Sequence, residues 1–183
     1  MWKERGAITV VNEKKEAYIR VAIAMTKAGC DDIEATSDKS AYFLRGIIDY
    51  AENGKKANLS AKWAPSTYRF SAKAALLKYD TEAYRNRGSK SLRSEKLHAE
   101  HVIPNSLVFR RLVEMVRAGQ SDKSLADFLR ESCEVVVITK EESDILDGRG
   151  SGLRSQMPDG WSWGDDPYSR LRGVGIELEG TPS

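Results

Sequence analysis

Glu134-Val135-Val136-Val137-Ile138-Thr139-Lys140-Glu141-Glu142 decides the fold class. Val135 to Ile138 are β-branched without interruption, and such side chains are stiff at χ1 and lose little by being extended. Thr139, with Glu142 three positions later, matches a capping box, in which hydroxyl and carboxylate satisfy the first free N–H groups of a helix. A strand over residues 134–138 running directly into a helix over 139–146 is therefore expected. The chain is read as α+β.

Outward from this unit the periodicity is mostly helical. Upstream, residues 107–118 and 124–131 read as two helices separated at Gly119-Gln120-Ser121, and residues 96–103 as an extended stretch. Nearer the start, helices are expected over 13–27, over 38–53 with Ser37 as N-cap, and over 67–78, after a short extended start at 7–11. Asn86-Arg87-Gly88-Ser89-Lys90-Ser91 is a turn-rich basic connector. It divides a helical lobe, residues 1–90, from a second module, residues 91–183. Downstream, 147–164 is rich in Gly and Ser and carries Trp161 and Trp163, and a short helix is expected near 167–172.

With 183 residues the chain has room for one domain or two small lobes sharing a core. Its 40% hydrophobic and 31% charged residues exclude general disorder. The longest apolar runs, 21–25 and 135–138, fall far short of the roughly 18–20 residues that cross a bilayer, and Met1-Trp2-Lys3-Glu4-Arg5 leads into no signal-peptide core. No membrane association and a soluble, cytoplasmic location are the expectation. Cys30 and Cys133 have no CxxC spacing and are expected to be buried free thiols.

The net charge of +2 conceals a polarity. Between Arg69 and Lys96 the basic residues Arg69, Lys73, Lys78, Arg85, Arg87, Lys90, Arg93 and Lys96 face only Asp80, Glu82 and Glu95. From Glu141 onward, carboxylates outnumber arginines nine to four. A basic surface for a polyanion beside an acidic pocket or tail would give this pattern. Arg85, Arg87, Lys90 and Arg93 are the candidate phosphate contacts, and Tyr68, Phe70, Tyr79 and Tyr84 interleave with the run as base-stacking surfaces or as core.

Both histidines of the chain fall in Leu97-His98-Ala99-Glu100-His101-Val102-Ile103-Pro104-Asn105-Ser106. Histidine exchanges a proton near neutral pH, and a carboxylate is a hard oxygen donor for a divalent cation. Neighbouring side chains on a strand point to opposite faces, so Glu100 and His101 share a site only where the strand ends or bends. Pro104, which donates nothing to a ladder, supplies that end.

Glu100 to Ser106, followed by the strand at 134–138 and the helix at 139–146, resembles the ββα-metal core of the HNH (His-Me finger) endonucleases, the HNH domains of CRISPR effector nucleases in particular. The likeness runs from Leu97 to Leu146 and leaves the first ninety residues outside it. It implies phosphodiester hydrolysis, with His101 as general base and Glu100 as metal ligand. A second ligand comes from the helix; Ser143 stands where the family presents His or Asn, which leaves Glu142 or Asp144. The helical insertion at 107–133 replaces a shorter loop, and Asn105 is the counterpart available for the family's middle Asn. The implied cofactor is Mg²⁺, with Mn²⁺ able to substitute and Zn²⁺ favoured only by a His ligand. The implied partner is nucleic acid, DNA before RNA, with His98 placed for packing or a phosphate contact. Two other readings stand beside this one. One is a non-catalytic nucleic-acid-binding protein with a degenerate HNH core. The other is a helical protein–protein adaptor docking through Trp161 and Trp163.

Overall fold

The computed structural model describes residues 13–29, 69–79, 97–148 and 150–180. Its elements are helix α1 (Glu13–Gly29), strand β1 (Arg69–Phe70), helix α2 (Ala72–Tyr79), strand β2 (Leu97–His101), helices α3 (Asn105–Arg117) and α4 (Asp122–Ser132), strand β3 (Val135–Thr139), and helices α5 (Lys140–Asp147) and α6 (Ser169–Arg172). The strands form one sheet in the order β1-β3-β2, which makes the fold α+β.

β3 is central and buried at every position, as its unbroken β-branched run demands. β2 lies antiparallel to it, with Leu97 opposite Thr139, Glu100 opposite Val136 and His101 opposite Val135. On its other side β1 runs parallel, Arg69 opposite Val136 and Phe70 opposite Val137. Leu178 bridges to Ser71, Ala72 N–H donates to Glu177 O and Glu179 N–H to Phe70 O, so the C-terminal segment flanks β1. The cation of Arg69 stands 4.8 Å over the Tyr168 ring, and the Tyr168 hydroxyl donates to Glu134 Oε1 at 2.6 Å. Burial first and that carboxylate second push the Tyr168 hydroxyl up to about 12.

The main core lies between the sheet and α1, α3 and α4, and is built from Ile19, Ile23, Val108, Leu112, Leu125, Leu129, Val136 and Ile138 among others. α3 stops where the N–H groups of Gly119 and Gln120 donate to Val116 O and Met115 O, a Schellman turn that needs the left-handed φ of +70° at Gly119. α1 is clamped to α4 by Arg130, whose guanidinium donates to both Glu16 oxygens at 2.8 and 2.7 Å, and by the Lys27–Asp122 pair.

One expectation changes. Residues 67–78 are not one helix: Arg69 and Phe70 are strand, because their backbone completes the edge of β3 before α2 starts. Residues from both sides of position 90 share this sheet and core, through β1, α2 and α1. Among the described residues no helix is long and apolar enough to cross a membrane. The expected helix at 38–53, the extended start at 7–11, the basic connector with Arg85, Arg87, Lys90 and Arg93, and Cys30 lie outside the described residues. Cys133 is a buried free thiol, pushed up to about 12 by burial.

Candidate functional site

β2 ends at His101, and Ser71-flanked β3 holds its whole length in register, so the chain turns through Val102 and Ile103 into α3 at a fixed place. Val102 and Ile103 are buried and anchor the turn, and Val102 N–H still donates to Glu134 O at 3.0 Å. Pro104 sits at the N-cap of α3 with φ −54° and ψ 131°, so helix begins directly at Asn105. This turn returns the Asn105 side chain to within 2.7 Å of His101 Nε2. The half-buried imidazole is therefore fixed by a residue four positions along the chain.

Glu100 and His98, two apart on the strand, share a face, and His98 Nε2 lies 3.3 Å from Glu100 Oε2. The other Glu100 oxygen accepts from Arg170 of α6. The Arg170 side chain is 1% exposed and that of Glu100 14%. The same guanidinium donates to His101 O, to Leu153 O at 2.9 Å and to Arg154 O at 3.3 Å. Its Nε finds no acceptor among the described residues. Burial alone would raise the Glu100 carboxyl; the hydrogen bond from His98 and the charge and hydrogen bond of Arg170 outweigh it and hold the group below the usual carboxylate range.

The helix residues expected to complete a cation site are engaged elsewhere. Thr139 Oγ1 accepts from Glu142 N–H at 3.1 Å while Glu142 Oε2 accepts from Thr139 N–H at 2.8 Å, so the capping box forms. Buried Glu142 Oε2 also accepts from Ser71 Oγ at 2.6 Å, tying α5 to the start of α2. Asp144 is exposed and pairs with Lys140. Ser143 is buried. Among the described residues no three His, Cys, Asp or Glu side chains converge as a metal-holding group. The structure thus joins His101 with Asn105 and Glu100 with His98, and leaves Glu142 and Asp144 out of both pairs. As a donor set these described residues do not fit a bound Mg²⁺: Glu100, the largely covered carboxylate next to His101 in the chain, already carries the charge of Arg170.

Arg170 was not foreseen as part of the site, since an arginine in a short, polar C-terminal helix reads as exposed. The signal available was Tyr168-Ser169-Arg170-Leu171, which puts a cation next to an apolar residue at the end of a Gly-rich loop.

Compared with protein-family models, with curated proteins and with solved structures, the chain matches none.

Proposed function

We propose that the chain hydrolyses phosphodiester bonds in nucleic acid, DNA before RNA, with His101 as general base. The observation that carries this reading is the placement of His101. Its ring sits at the end of β2, held by Asn105, on two antiparallel strands followed at once by a helix that packs on both. A neutral imidazole has one N–H and one basic nitrogen. Asn105 Nδ2, 2.7 Å from Nε2, holds the ring in place, and the basic nitrogen of the neutral imidazole takes the proton of a water attacking phosphorus in line. The bond from phosphorus to the departing 3′ oxygen breaks as the new one forms, and that oxygen takes a proton from solvent water.

A second reading, a nucleic-acid-binding protein without hydrolysis, is favoured by one specific observation: Arg170 neutralises Glu100, the carboxylate that the HNH resemblance would give to a cation. One assay separates the two. Purified protein is incubated with plasmid DNA and with structured RNA, in Mg²⁺ and in chelator. Hydrolysis lost by at least about 10²-fold in His101→Ala, and far less in His98→Ala, is the expected result, on the scale of a missing general base. Equal losses with unchanged circular dichroism would refute the assignment of His101. Absence of cleavage under every condition, with binding retained, would leave the second reading.

A further inference from the structure

An open groove of about 660 Å³ begins one residue along α3 from Asn105. One wall is the face of α3 that carries Ser106, Arg110 and Glu114, spaced four residues apart and so aligned along the helix. The other wall is the loop after α5, with Gln156, Trp161 and Trp163. The volume is that of a small-molecule cleft, about 300–1,000 Å³, which suits one or two nucleotides and not a duplex.

Its aromatic wall is fixed in advance. Trp163 meets Phe128 edge-on at 5.2 Å and Trp161 at 5.0 Å, and Trp161 Nε1 donates to Asp166 O at 3.1 Å. Both indoles stay half-buried, with one side on the core and the other on the groove. The charge on the opposite wall is not balanced. Arg111 pairs with Glu114 at 2.9 Å, whereas exposed Arg110 has no ion pair among the described residues. Of the loop's carboxylates, Asp166 pairs with Arg172, Asp165 accepts from Ser162 N–H and Asp159 has no ion pair among the described residues, but none of the three lines the groove.

We propose that this groove binds unpaired nucleotides of a nucleic-acid strand, a base stacking on the Trp161–Trp163 wall and a phosphate meeting Arg110. Aromatic faces accept any base, and stacking requires the base to be out of a duplex, so the site selects single-stranded or locally opened substrate. The proposal deepens the nucleic-acid reading above and rests on it.

The test uses the full chain carrying His101→Ala, in chelator, with a short single-stranded DNA of mixed sequence and an abasic strand of the same length and charge. The intact strand quenches tryptophan fluorescence and binds roughly 5- to 150-fold more tightly than the abasic one, the range spanned by one base–aromatic stack. Trp163→Ala removes that difference. Arg110→Ala weakens both strands alike and lowers the salt slope by about 0.7, one phosphate contact on a single strand. Because Trp163 packs on Phe128 and its loss can unfold the loop, the intact-versus-abasic comparison in the chain with both tryptophans decides. Equal affinities there overturn the proposal and leave the groove to a protein partner. Discrimination without cleavage by the wild-type chain would count against the hydrolase reading alone, and cleavage without discrimination against this proposal alone.

Discussion

Arg170 offers the sharpest test of how the site is held together. Its guanidinium is buried and donates to Glu100, His101 O, Leu153 O and Arg154 O. Arg170→Met keeps most of the volume but leaves the Glu100 carboxylate buried without its cation, which costs about 3–5 kcal/mol. Three carbonyls lose donors as well, each worth about 1 kcal/mol net, although water entering the space replaces part of this. A loss of about 4–6 kcal/mol is expected, a large share of the 5–15 kcal/mol typical of a domain. Urea unfolding followed by circular dichroism and by tryptophan fluorescence measures it. The Arg170→Met, Glu100→Gln double variant should recover about 1–3 kcal/mol relative to the sum of the single variants, because the pair is then absent from both sides. Should Arg170→Met not fold, Arg170→Lys keeps the charge, gives up the fork, and enters the same cycle. A loss below about 1 kcal/mol, or zero coupling to Glu100, would refute the reasoning, since a buried pair broken on one side cannot cost so little.

Acid should act through the same pair: a carboxyl held below its ordinary value contributes stability that is complete above its unfolded value and is lost as pH falls through its folded one. Stability is therefore expected to drop below about pH 4.5, and Glu100→Gln, less stable at neutral pH, should show a smaller drop over that interval in urea midpoints. Thr139→Ala should cost about 1 kcal/mol as a lost cap, and Glu142→Ala more, because Ser71 Oγ and Thr139 N–H both lose their acceptor; equal, negligible effects by thermal unfolding would contradict the capping box. Cys133, buried and pushed up to about 12, should resist thiol reagents until urea unfolds the chain. Rapid labelling in buffer would contradict its burial.

The parts that were legible in the sequence are those whose causes are local. The β-branched run of Val135 to Ile138 and the Thr139–Glu142 pair specify strand, cap and helix within a few residues, and the structure has all three. α3, α4 and the extended stretch before them were legible for the same reason, within one or two residues at their ends. Arg69 and Phe70 were not, because a two-residue strand has no period of its own and exists only through β3. The role of Glu142 could be read either way: one side chain matched both a cap and a ligand, and a third group, Ser71 far away in sequence, occupies the remaining capacity of the same oxygen. Arg170 depends on a loop folding over it, a tertiary event with no periodic signature.

The acidic stretch from Glu141 onward was expected to present an acidic pocket or tail, and the contacts described there show how four of its nine carboxylates are engaged. Glu142 is spent on backbone and hydroxyl donors, Asp144 on Lys140, Asp165 on Ser162 N–H and Asp166 on Arg172. Asp144, Asp165 and Asp166 are engaged within a few residues of their own positions, whereas Glu142 also reaches Ser71, far away in the chain. Arg170 also crosses between segments, from α6 to Glu100 and the backbone of His101, and Arg110, which lines the groove with Trp161 and Trp163, has no ion pair among the described residues. Under the proposal above, a polyanion in this groove would meet Arg110 and two indoles and no uncompensated carboxylate of the lining, since the one on that helix face, Glu114, is already paired with Arg111.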